Sequence, residues 1–154
     1  MKLLLKIIPL VLAAVICLSF ASCGKSGNNA NKEVQSGENM NYTKNADGYY
    51  QISAQEAHRI MVEESDYIIL DVRTESEYNE AHIPDAVLLP DIEIIEKADT
   101  VLPDKDKKIL VYCRSGRRSK NASAELAAMG YSNVWEFGGI IDWNYAVVTP
   151  EEAN

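Results

Sequence analysis

Two apolar runs without polar alternation, Tyr67-Ile68-Ile69-Leu70-Asp71-Val72 and Ile109-Leu110-Val111-Tyr112, constrain this chain most. A strand with one face in water alternates apolar and polar residues. A strand apolar throughout is covered on both faces, as in a parallel sheet, and parallel strands need crossover helices between them. The intervening segments supply helices. Ser53-Ala54-Gln55-Glu56 reads as a capping box, with Ser53 as N-cap and Glu56 reaching back, before a helix to about Glu64 with Ala57, Ile60 and Met61 on one face. His58 falls off that stripe and reads as a surface residue. Thr74 to Tyr78 reads as a short capped turn of helix, Asp91 to Asp99 as a helix, and Ser119 to Met129 as a helix with Ser119 as N-cap and Gly130 at its end. The folded part is expected to start near Gly48-Tyr49-Tyr50, further strands are expected at Val87-Leu88-Leu89 and Val134-Trp135-Glu136, and Gly138-Gly139 is expected to turn the chain into a last helix carrying Ile140, Ile141 and Trp143. The class that follows is α/β, a mostly parallel five-stranded sheet with helices on both faces. Ligands bind outside the C-terminal ends of such strands, where both Asp71 and Cys113 fall.

Cys113 opens the segment Cys113-Arg114-Ser115-Gly116-Arg117-Arg118-Ser119, between the end of a strand and the start of a helix. A lone cysteine after an apolar strand is ordinarily a small buried hydrophobe. Three arginines and a glycine among the next five residues fit a core position poorly. Cations and a helix N-terminus lower a thiol pKa from about 8.5 to about 3.5–7.5, and a loop of this kind turns backbone N–H groups toward one anionic centre. Cys113 therefore reads as an activated nucleophile.

The 154 residues hold one domain once the N-terminus is set aside. Residues 1–23 have the anatomy of an export signal: Lys2 and Lys6, an apolar run from Ile7 to Phe20, then small Ala21 and Ser22 before Cys23. Phe20-Ala21-Ser22-Cys23-Gly24 resembles a bacterial lipoprotein cleavage box, which implies lipidation of Cys23 and a protein held on the outer face of the cytoplasmic membrane by its acyl chains. The apolar run is shorter than the roughly 20 residues of a spanning helix; retention as an anchor, lengthened by Leu3 to Leu5, is the competing reading. Residues 24–47 are polar and read as a flexible tether, and residues 48–150 as the folded domain. With Cys17 removed and Cys23 lipidated, Cys113 has no disulfide partner and is either inert or kept for reactivity. Loss of Lys2 and Lys6, with no acid, moves the net charge from −8 to −10. That balance argues against nucleic acid as a partner and makes Arg114, Arg117, Arg118 and Lys120 a basic island suited to a small anion.

Three segments, in order, resemble the rhodanese-like sulfurtransferase family. They are Leu70-Asp71-Val72-Arg73 leading into Glu77-Tyr78-Asn79-Glu80-Ala81-His82-Ile83-Pro84-Asp85-Ala86, the loop from Cys113 to Ser119, and Gly138-Gly139-Ile140-Ile141-Asp142-Trp143. Ala81 and Asp85 stand where the family usually has glycine. The resemblance implies a three-layer domain and transfer of sulfane sulfur through a Cys113 persulfide. The donor would be a small anion such as thiosulfate, and the acceptor cyanide or a thiol, including a thiol on a partner protein. It assigns Cys113 as nucleophile and Arg114, Ser115, Gly116, Arg117 and Arg118 as the anion cradle. Arg114 and Arg117 would contact the donor and Arg118 brace the loop. Asp71, Arg73 and Ser119 are assigned as supports, with a purely structural ion pair the alternative for Asp71 and Arg73. His82 reads as a turn-stabilising residue and the two tryptophans as core or pocket wall. No cofactor is implied, and no His/Cys/Asp cluster has metal-ligand spacing.

Two rivals stand beside this reading. A cysteine-dependent phosphatase or arsenate reductase uses Cys-x5-Arg, often with His before the Cys, where this chain has Ser119 and Tyr112. A non-catalytic module that carries or senses sulfane sulfur, or docks a partner, would keep the same loop.

Overall fold

The computed structural model describes residues 41–149. The expected signal peptide, with Cys23, lies outside them, as do residues 24–40 of the expected tether. The domain runs β1 (Tyr50–Gln51), α1 (Ala54–Glu63), β2 (Tyr67–Asp71), α2 (Glu75–Glu80), β3 (Val87–Leu88), a 3₁₀ turn (Asp91–Glu93), α3 (Ile94–Val101), β4 (Lys108–Cys113), α4 (Arg117–Ala128), β5 (Val134–Gly139) and a second 3₁₀ turn (Ile140–Asp142). The five strands form one sheet in the order β1-β5-β4-β2-β3, every pairing parallel. This is the α/β three-layer architecture expected from the apolar runs.

The two-residue period of a strand divides the sheet between two cores. Ile109, Val111 and Cys113 of β4 point to the face packed by Ala98 of α3 and by Ala122 and Leu126 of α4. Leu110 and Tyr112 point to the other face, with Ala57 and Ile60 of α1, Trp135, Phe137 and Trp143. Burial on both sides is why these strands carry no alternation. Cys113 and the residue before it thus belong to different layers.

Several local expectations need correction. Ser119 is not the N-cap of α4: Gly116, at φ +92°, takes that place, and Ser119 lies fully buried within the first turn. A left-handed residue is needed to bring the chain from β4 into the helix so abruptly, and glycine adopts it without a Cβ clash. Gly138-Gly139 do not form a turn; β5 runs through them because Gly139 pairs across the sheet with Cys113. The last helix is a single 3₁₀ turn, since the chain extends at Trp143 to bury that ring and let its indole N–H donate to the Ala146 carbonyl. Ser53 does cap α1, but the Glu56 carboxylate is taken by Arg59 and Tyr42 instead of reaching back. His58 is half-buried and stacks on Tyr145 at 3.6 Å. Residues 42–47 of the expected tether pack on the domain: Tyr42 meets Trp135 edge-on at 4.9 Å, and the Asn45 side chain accepts from the Asp47 and Tyr49 N–H groups.

The two unusual residues of the first family-like segment differ in consequence. Ala81 is extended at φ −170°, a conformation open to any residue. Asp85 sits at φ +63°, and aspartate is one of the few side chains that tolerate it.

Candidate active site

Cys113 ends β4 and is 1 % exposed. Three residues, Arg114, Ser115 and Gly116, carry the chain into α4, so the loop must curl tightly around the sulfur. The Gly116 N–H donates to Sγ at 3.1 Å. Burial pushes the Cys113 thiol up. The Ser119 hydroxyl and the N–H groups of Ser119, Ser115 and Gly116 outweigh that and hold the thiol below its ordinary value. The arginine-rich sequence suggested that cationic side chains do this, whereas the hydrogen bond seen at Sγ comes from a backbone N–H, that of Gly116.

The arginines divide. Arg114 and Arg117 are exposed on either side of the loop. Arg118 is half-buried and forked onto Glu77 of α2 at 2.7 and 2.6 Å, which neutralises it and ties α4 to the first family-like segment. Arg118 and the cap formed with Thr74 hold the Glu77 carboxylate down to about 2, Arg118 first. A depressed carboxylate binds more protons in the unfolded chain, so stability rises with pH across this window. The contribution is complete above about pH 4.3 and disappears as pH falls toward about 2. Denaturant midpoints taken between about pH 5 and pH 2 should therefore fall less steeply in Glu77→Gln than in the parent.

Asp71 and Arg73 form a buried ion pair, 0 % and 5 % exposed. The Asp71 carboxylate accepts from the Arg73 backbone and side chain and, at 2.7 Å, from the Tyr112 hydroxyl. Tyr112 in turn accepts from the Ile83 N–H, and Arg73 donates to the Ala81 carbonyl. Burial, then Asp71, raises the Tyr112 hydroxyl far above its ordinary value, keeping it a donor. The pair thus lies beside Tyr112, away from the sulfur. His82 is buried, stacked on Tyr78 at 3.7 Å with Nδ1 3.0 Å from the Tyr78 carbonyl, and its backbone pairs with Val148.

Two residues escaped sequence reasoning. Glu136, in β5, is 1 % exposed and accepts from the Ser119 hydroxyl at 2.7 Å and from the Gly138 N–H at 2.8 Å. It reads as one more residue of a short strand, and only the two-residue period would have placed it under the loop, on the α4 side. Gly139 was read as a turn. A Cβ built on it would lie 2.3 Å from the Arg114 carbonyl oxygen and 2.5 Å from the Ser115 Cα, so the loop rests directly on its bare backbone.

A buried thiol with converging donors at the C-terminal end of a parallel strand can be held as an anion and can attack an electrophilic sulfur. Comparison with known proteins points the same way. The family model described as Rhodanese-like domain matches residues 53–146. The chain is 38% identical over 73 residues to the thiosulfate sulfurtransferase PspE of Escherichia coli K12, covering 47% of this chain and 70% of that one. It is 35% identical over 105 residues to a sulfurtransferase of Allochromatium vinosum, covering 66% and 96% of the two chains. Among solved structures, one described as rhodanese with anions, from E. coli, superposes with a TM-score of 0.51 at 35% identity, covering 54% of this chain and 98% of that one. The chain belongs to the rhodanese-like domain family.

Proposed function

We propose that this protein is a sulfurtransferase that carries sulfane sulfur on Cys113. The observation that supports it most is the sulfur itself: buried, at a strand end, and held below its ordinary pKa by donors from Ser119, Ser115 and Gly116. The Cys113 thiolate attacks the outer sulfur of thiosulfate; the S–S bond breaks, sulfite leaves with its electron pair, and a Cys113 persulfide anion remains. Cyanide or a thiolate then attacks the outer sulfur of the persulfide, and the Cys113 thiolate leaves with the pair of the second S–S bond. Both steps move one negative charge along a line of sulfurs, and the loop's N–H groups are suited to hold it. In this reading Arg114 and Arg117, both exposed, meet the donor's oxyanion, while Arg118 is committed to Glu77. The sulfurtransferase names of the relatives and the anions bound by the E. coli rhodanese support the same reading.

Steady-state kinetics with thiosulfate and cyanide test it. Cys113→Ser should abolish thiocyanate formation, and Arg114→Ala or Arg117→Ala should raise the thiosulfate KM roughly tenfold, the worth of one hydrogen bond to a charged group, with little change in thiol reactivity. Equal turnover in the parent and Cys113→Ser would contradict the reading.

The same proposal places the domain outside the cytoplasmic membrane, with Cys23 as the lipidated residue, on the strength of residues 1–23. Cys23→Ala should move the protein from the membrane fraction to the soluble one in its bacterial host; an unchanged distribution would favour a retained anchor.

A further inference from the structure

The pairing of β4 with β5 is irregular just where Cys113 lies. Val111 pairs with Glu136 and Cys113 with Gly139, so Phe137 and Gly138 together stand opposite Tyr112 alone. A bulge of this kind bends its strand and leaves the extra residue out of the ladder. Gly138 bears the bend at φ +96°. The Glu136 side chain holds it there, Oε1 accepting from the Gly138 N–H at 2.8 Å. The same oxygen accepts from the Ser119 hydroxyl, 2.7 Å away in the first turn of α4. One buried atom thus joins the strand that pairs with Cys113 to the helix that follows it. Gly116, the turn between, is seated on this junction: a Cβ built on it would lie 3.6 Å from the Gly138 Cα and 3.9 Å from Glu136 Oε1. Its carbonyl oxygen lies 3.1 Å from the Ser119 hydroxyl oxygen, and its N–H donates to the Cys113 sulfur.

We propose that Glu136 is a positioning residue: its Oε1 ties the β5 bulge at Gly138 to the first turn of α4 at Ser119 and so aims the Gly116 N–H at the Cys113 sulfur. The inference rests on the sulfurtransferase reading, in which that N–H meets the charge on Sγ. An N–H donor fixed in advance stabilises such a charge without reorganising when the reaction occurs. Oε1 accepts both hydrogen bonds whether Glu136 is ionised or protonated. Its second oxygen, buried without a hydrogen-bond partner among the described residues, is the one left to carry a proton. The role therefore asks for an acceptor oxygen at this point and not for a charge. Without it the bulge and the first turn of α4 lose their common anchor, and the Gly116 N–H drifts off the sulfur. Arg118 of α4, tied to Glu77 of α2 and acted on by Asp91 of the first 3₁₀ turn, lies within electrostatic reach of Cys113, as Tyr49, just before β1, does of Glu136. None of these is altered in the variants below.

The test is the pH dependence of Cys113 alkylation by iodoacetamide in the full chain. It needs no sulfur donor, so its failure and a failure of sulfur transfer are told apart. Glu136→Met keeps the length of the side chain and removes the acceptor oxygen. It should raise the apparent thiol pKa by about one unit, the worth of one hydrogen bond to a charged group. Alkylation below that pKa should slow roughly threefold, the loss of thiolate being partly offset by its greater nucleophilicity. Glu136→Gln keeps an acceptor oxygen without the charge and should hold the apparent pKa within about 0.3 units of the parent. A residue that only stabilised the fold would lower the urea midpoint of Glu136→Met and leave this profile in place. If Glu136→Met does not fold, amide hydrogen exchange carries the test: the Gly138 N–H should exchange slowly in the unmutated protein and in Glu136→Gln. An unshifted or lowered pKa in folded Glu136→Met, a Glu136→Gln profile displaced by about one unit, or a Gly138 N–H that exchanges as an unprotected amide in the unmutated protein would each overturn the proposal.

Discussion

Gly139→Ala is expected to reduce kcat/KM for thiosulfate by about two orders of magnitude while leaving most of the fold in place. The added Cβ would meet the Arg114 carbonyl oxygen at 2.3 Å and the Ser115 Cα at 2.5 Å, both backbone atoms that no rotamer change can move aside. The loop must shift outward, and the donors that hold the sulfur go with it. Gly139 pairs with Cys113 across β4 and β5, and the Arg114 carbonyl accepts from the Ile141 N–H just beyond, so the displaced segment is the one that carries the chemistry. A misplacement of about 1 Å in a catalytic group costs on the order of a hundredfold in rate. Alkylation of Cys113 should slow at neutral pH as its donors are lost, and kinetics within threefold of the parent would contradict this role for Gly139.

The second large effect is on stability. Asp71→Ala should lower the unfolding free energy by about 3–5 kcal/mol, the cost of breaking a buried ion pair from one side. The change leaves the buried Arg73 guanidinium with only the Ala81 carbonyl and the Tyr112 hydroxyl with no acceptor. Urea unfolding measures it, and a loss below about 1 kcal/mol would show that the network carries little. Folded Asp71→Ala protein should nevertheless keep the pH profile of Cys113 alkylation. Tyr112 projects into the core on the α1 side of β4 and Cys113 into the core on the α4 side, so the network supports the strand from the face opposite the thiol. A profile shifted by more than about one unit would instead give Asp71 a part in the chemistry.

What the sequence made legible follows from how local each signal is. The unalternating runs at Tyr67–Val72 and Ile109–Tyr112 announce strands buried on both faces, and the helices between them leave little choice but a parallel sheet. Cys113 was legible because its neighbours suit a core so poorly. Features that depend on contacts between distant segments were not legible. Ser119 has the composition of an N-cap, but the abrupt entry into α4 needs φ +92° at Gly116 and carries Ser119 into the interior, where it meets Glu136 from another strand. Gly138-Gly139 has the composition of a turn, and only the pairing of Gly139 with Cys113 reveals why a side chain is excluded there. The three arginines look alike in sequence. Glu77, which singles out Arg118, arrives from a helix 41 residues away.

The central claim, that Cys113 carries sulfur as a persulfide, is tested most directly by intact-protein and peptide mass spectrometry after incubation with thiosulfate and no reductant. The account predicts the mass of one added sulfur atom on the peptide containing Cys113, removed on addition of cyanide with release of thiocyanate, and absent in Cys113→Ser. Unmodified Cys113 under these conditions, or added sulfur that cyanide does not remove, would contradict it.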